Sequence, residues 1–199
     1  MGVVRLSNAG IRDFQKTDSF LAGNTAFSLS AEDFLEEVVL TSSATSVTFT
    51  GLDAYSDYKH LQIRWVTRTD RNNNIDVLDM SLNADTSVSH KYKRLWTSGS
   101  SVGSFAESAG LNSARVAQVP TNNNTDSNQF AAGIIDILDF NSATKNTTTR
   151  SLSGNPASGS QYLALWSGAL LQTDPITSIK LQSIANQPAG SRFSLYGAK

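Results

Sequence analysis

The residues able to do chemistry in this 199-residue chain are few. His60 and His90 are the two histidines, and cysteine is absent, so disulfides and thiolate metal centres are excluded. Carboxylates recur at one spacing, Asp76 with Asp79 and Asp136 with Asp139, inside the similar runs 75–80 and 135–140. Close carboxylates could hold calcium or serve a glycosidase. On a strand, however, residues three apart point to opposite faces, so neither pair is a dyad by itself. A cross-strand meeting of Asp76 with Asp136 stays open, and it would require a cation or a shared proton. The simpler expectation is that these aspartates sit at strand ends and cap loops. No Gly-x-Ser-x-Gly, phosphate loop or zinc spacing occurs. The expectation is therefore no enzyme: no catalytic residue, no cofactor and no metal.

His60 falls beside Gln62 and Arg64 on the polar side of an alternating run, where a solvated imidazole is expected. His90 opens a basic run, His90-Lys91-Tyr92-Lys93-Arg94. Period two places Lys91, Lys93 and Leu95 on one face and Tyr92, Arg94 and Trp96 on the other. A solvated strand edge that discourages sheet-to-sheet aggregation is expected here, with contact to an acidic neighbouring subunit as the alternative. Trp65, Trp96, Trp166, Tyr92 and Tyr162 could supply stacking platforms for sugars. Trp65 shares an apolar face and belongs in a core, whereas Trp166, after Leu163-Ala164-Leu165, fits either environment.

Ser, Thr and Asn make up 61 of the 199 residues. Their side chains compete for backbone hydrogen bonds in helices but suit strand faces and turns. The clearest alternation is 58–67, with Leu61, Ile63 and Trp65 on one face and His60, Gln62 and Arg64 on the other. Strands are also expected over 75–82, 92–96, 115–119, 131–140, 147–152, 162–171, 176–184 and 193–196, while 97–103 reads as a flexible stretch. Residues 30–40 could form a helix capped by Ser30. The favoured reading is a hairpin of strands 36–40 and 47–50. About ten short strands between turn signals predict an all-β fold, an antiparallel β-sandwich of jelly-roll type. Its expected core is Leu61, Ile63, Trp65, Ile135, Ile137, Leu163, Leu165, Ile179, Leu181 and Leu195.

Sixteen basic against 17 acidic residues give a net charge of −1, which argues against nucleic acid as a partner. No apolar run of signal-peptide or membrane-spanning length is present, so synthesis in the cytoplasm without membrane insertion is expected. Residues 1–33 lack periodicity and read as an extended N-terminal arm, with the sandwich over 34–199. Val3, Val4, Leu6, Ile11, Phe14, Phe20, Leu21 and Phe27 are the arm's candidate anchors. Such a segment buries too little of itself to order alone. It is expected to dock on a partner, the alternative being that it folds back on its own sandwich.

The stretches Ser42-Ser43-Ala44-Thr45-Ser46-Val47-Thr48-Phe49 and Tyr55-Ser56-Asp57-Tyr58-Lys59-His60-Leu61-Gln62-Ile63-Arg64 resemble virion structural proteins of marine and cyanobacterial tailed phages. So do Ile135-Asp136-Ile137-Leu138-Asp139-Phe140 and the ending Ser191-Arg192-Phe193-Ser194-Leu195-Tyr196-Gly197, although the usual final Gly-Ile is Gly197-Ala198 here. The resemblance covers 34–199 and implies a fibre or capsid-decoration subunit in the virion. Capsid or tail subunits would bind the arm, and the sandwich would project outward, as a homotrimer. The alternative is a carbohydrate-binding, receptor-recognising module for host surface glycans.

Overall fold

In the computed structural model the described residues are 32–84, 87, 89–107, 110–121, 128–155 and 161–199. The arm anchors Val3, Val4, Leu6, Ile11, Phe14, Phe20, Leu21 and Phe27 lie outside them. Glu32 and Asp33, read as the end of the arm, already belong to the first strand.

The strands are β1 (Glu32–Val39), β2 (Ala44–Thr50), β3 (His60–Thr67), β4 (Ile75–Leu82), β5 (His90–Ser98) and β6 (Ser101–Ala106). They continue as β7 (Ala114–Pro120), β8 (Ala131–Leu138), β9 (Thr147–Asn155), β10 (Tyr162–Leu170), β11 (Ser178–Gln187) and β12 (Arg192–Ala198). An eight-stranded sheet runs β1-β12-β3-β8-β9-β10-β5-β6, and a four-stranded sheet runs β2-β11-β4-β7. The paired strands are antiparallel, and the two sheets form a sandwich. No helix among the described residues is long and apolar enough to cross a membrane.

Alternation fixes which face of each strand turns inward. Leu61, Ile63 and Trp65 of β3, Ile135 and Ile137 of β8, and Phe193 and Leu195 of β12 meet Phe49 of β2, Met80 of β4, and Ile179 and Leu181 of β11. All of these are essentially fully buried, and each such side chain contributes roughly 1.5–3 kcal/mol.

Four expectations are corrected. Residues 32–50 form two strands but no hairpin: β1 pairs with β12 in the larger sheet, and β2 pairs with β11 in the smaller. Residues 101–106 form β6, an edge strand paired to β5, where the sequence suggests a flexible stretch. His90 is buried rather than solvated. Leu163 and Leu165 are 52% and 55% exposed, while Ala164 and Trp166 between them point inward. Both faces of β10 are apolar, so its sequence leaves the phase open. Pairing with β9 sets it, because Ala164 and Trp166 align with the inward Ser153 and Ser151.

The inward face of β9 is polar throughout: Thr147, Thr149, Ser151, Ser153 and Asn155 are all buried. Ser151 Oγ donates to the Val116 carbonyl of β7 at 2.7 Å. This ladder separates the main core from a smaller aromatic cluster built on Tyr92, Ala114, Ala164 and Trp166.

Candidate ligand-binding site

The aromatic cluster grows from the far end of the larger sheet. Strand β5 sends Tyr92, Arg94 and Trp96 inward, on the face that alternation assigns them. Strand β10 adds Trp166, the cross-strand partner of Arg94, and Tyr162, which directly precedes Leu163, the partner of Thr97. Gly103 of β6 is the cross-strand partner of Trp96. A Cβ on Gly103 would lie 2.5 Å from the Trp96 ring, so glycine here is what lets the indole lie flat on the sheet.

Trp96 stacks on Tyr162, with centroids 5.6 Å apart and planes 16° from parallel. Trp166 packs on Tyr92 at 5.9 Å and donates its indole N–H to Ser153 Oγ at 3.1 Å. Four rings surround the Arg94 guanidinium: Phe105 and Trp166 at 5.4 Å, Trp96 at 5.8 Å and Tyr162 at 6.0 Å. Burial pushes the Tyr162 hydroxyl above the ordinary tyrosine value, opposed by the charges of Arg94 and Arg115. Tyr92 shifts up for the same first reason, with Arg115 the main opposing charge.

A recess of about 590 Å³ on the outer side of this sheet is shallow, whereas a second one, about 330 Å³, opens between the sheets. The inner recess is lined by Arg94, Trp96 and Ser98 of β5, Tyr162 of β10, Gln118 of β7, and Asn74 and Ile75 where β4 begins. Three of its side chains hold buried polar atoms with no hydrogen-bond partner among the described residues: Arg94 Nε, Gln118 Oε1 and Tyr162 Oη. Gln118 is only 6% exposed. Arg94, half-buried, makes no ion pair among the described residues, and four ring faces surround its charge. Buried polar groups are ordinarily paired, since leaving one unpaired costs roughly 1–3 kcal/mol. Three in one recess make it the candidate site for a polar ligand.

The other residues singled out from sequence have structural partners. His60 Nδ1 accepts the Asp139 N–H at 3.0 Å, so this imidazole caps the turn after β8. The Lys145 ammonium holds the Asp139 carboxyl below its usual value. Buried His90 takes the Leu82 N–H on Nε2 and contacts the Leu111 carbonyl through Nδ1. Asp76 and Asp136 do not meet, because β4 and β8 belong to different sheets. Asp76 is fully buried, accepting the N–H groups of Val77 (2.8 Å) and Ala185 (3.1 Å) beside Arg71. Asp136 pairs with Arg150 at 2.6 Å on the outer face. Asp79 faces Arg115, yet burial still lifts its carboxyl above the ordinary value. No group of three His, Asp or Glu able to hold a metal occurs among the described residues.

Of the five aromatic candidates, Trp96 and Tyr162 line the recess, Tyr92 and Trp166 support it from below, and Trp65 is core. Sequence reasoning missed Arg94 as a site residue, along with Gln118, Asn74 and Gly103. Arg94 had a usable signal, since alternation already placed it between Tyr92 and Trp96. Gln118 had one too, as the polar residue within the apolar run 116–119.

No family model and no curated protein matches the chain. Among solved structures, "Ruminococcus gnavus IT-sialidase CBM40 bound to alpha2,6 sialyllactose" is similar over 82% of this chain and 90% of that one. The identity is 13% and the TM-score 0.31, a depth at which that module's ligand says nothing of a ligand here.

Proposed function

We propose that the chain is a non-catalytic, glycan-binding β-sandwich whose binding site is the Trp96–Tyr162 recess. The observation that carries this reading is the grouping of three unpaired buried polar atoms, on Arg94, Gln118 and Tyr162, around one aromatic-walled opening. Ring faces accept the apolar C–H faces of a sugar, while amide, hydroxyl and guanidinium groups meet its oxygens. The described lining has no carboxylate or imidazole to serve as acid or base, which supports binding rather than turnover. The test is a screen of immobilised bacterial-surface glycans against the full chain and its Trp96→Ala variant. Wild-type retention that falls about tenfold or more in the variant, with the far-UV dichroism unchanged, supports the reading. Retention by no glycan, or equal retention of both proteins, overturns it.

A second reading, virion assembly, is favoured by a different observation: large apolar side chains stand exposed across the outer face of the larger sheet. A fibre or decoration subunit would bury such a surface on assembly and could still carry a glycan site. Residues 1–30 would be its attachment to the particle. A chain beginning at Ala31 that keeps its thermal stability but fails to join particles supports this reading. One that joins at normal copy number contradicts it.

A further inference from the structure

The outer face of the larger sheet is apolar where a sandwich usually meets water. One row across neighbouring strands reads Ile134 (β8), Leu152 (β9), Leu165 (β10) and Leu95 (β5). The next reads Val66 (β3), Ala132, Gly154, Leu163, Thr97 and Val102 (β6). The seven large apolar residues in these rows are 40–75% exposed. They form one contiguous patch, and a patch of such extent marks an interaction surface.

The pattern is self-complementary. The geometry points to a second copy of this chain packed face to face on the band, related by a twofold axis that lies in the interface, along the strands, between β9 and β10. That operation lays β9 over β10, β8 over β5 and β3 over β6 of the other copy, keeping each row on itself. Leu152 then meets Leu165, Ile134 meets Leu95, and Val66 meets Val102. Leu163 meets Gly154, where a Cβ would touch nothing within 4 Å and where depressions of about 590 and 460 Å³ adjoin. In the flanking row Asp136, which also pairs with Arg150 of its own chain, meets Lys93, an exposed lysine without an ion pair among the described residues. Apolar row on apolar row, a protruding leucine on a glycine hollow, and acid on base all follow from one axis. An isologous contact of this kind closes as a dimer. The ligand recess lies on the opposite face of the same sheet, so pairing leaves both recesses open.

Two positions give a direct test. Ile134 and Leu95 of one chain are three strand spacings apart, about 14 Å, too far for a disulfide. The chain has no cysteine of its own. An oxidised Ile134→Cys/Leu95→Cys double variant of the full chain is expected to run as a covalent dimer, with each single variant uncross-linked. Light scattering on the wild type is expected to give twice 21.4 kDa at micromolar concentration, and on Leu165→Arg the single-chain mass with unchanged dichroism. A single-chain or threefold wild-type mass overturns the proposal. So does a double variant that fails to cross-link, or a Leu165→Arg variant that keeps the wild-type mass.

Discussion

Trp96 lies flat against Tyr162, its ring 5.6 Å from that of the tyrosine, because its cross-strand partner Gly103 carries no Cβ to lift it. The wall of the recess is thus set by an edge strand, β6, that supplies space rather than contacts. Gly103→Ala is expected to tilt the Trp96 indole. The atoms met, Cζ2, Cε2 and Nε1, belong to a side chain that can rotate away, so stability should change by about 1–3 kcal/mol while ligand retention falls. Urea denaturation and the glycan screen on the same variant check both halves.

Arg94 gives a sharper separation of stability from function. Its guanidinium is ringed by four aromatic groups and has no carboxylate partner among the described residues. Replacing such a charge with an apolar side chain of similar volume is often neutral or stabilising. Arg94→Met is therefore expected to keep or raise the urea midpoint and to lose ligand retention. A stability loss beyond about 2 kcal/mol would assign Arg94 to the scaffold instead.

Asp76 is the opposite case. Its carboxylate is fully buried and receives two backbone N–H groups beside Arg71. Asp76→Ala strands those donors and should cost about 3–5 kcal/mol. Arg150→Ala removes the partner of Asp136 from an exposed pair and should cost less than about 1 kcal/mol. Denaturation of the two variants side by side measures the contrast.

Stability should also fall at high pH. Burial, and then the hydrogen bond to Asp33, push the Tyr58 hydroxyl up to about 12. An unfolded tyrosine loses its proton near pH 10, so the folded chain holds this proton longer. The stabilisation is complete below about pH 10 and lost as pH rises towards 12. Buried Tyr92 and Tyr162 act in the same direction. Urea midpoints across this range should decline, and Tyr58→Phe should decline less steeply.

Period-two alternation makes β3 and the faces of β5 legible from the residues alone, because one face of each is distinctly apolar or basic. It fails where both faces look alike. On β10 it favours Leu163 and Leu165 for the core although Ala164 and Trp166 occupy it, since that strand is apolar on both sides. The same ambiguity conceals the exposed band. Strand order is illegible for a different reason: pairing partners such as β1 with β12 lie at opposite ends of the sandwich sequence. The likeness between the runs around Asp76 and Asp136 holds locally but not in space, as the two strands belong to different sheets. The recess joins β4, β5, β7 and β10, so only its aromatic members announce themselves in the sequence.

The central claim, that Trp96 is the platform of a ligand site, is open to one measurement. The three indole N–H groups of Trp65, Trp96 and Trp166 give three resonances in a nitrogen-15 correlation spectrum. Trp65 is sealed in the core, and Trp166 is bound to Ser153. Titration with a glycan retained in the screen is expected to move the Trp96 resonance, assigned by its loss in Trp96→Ala, far more than the other two. Equal movement of all three, or a stationary Trp96 resonance at saturating glycan, would contradict the account.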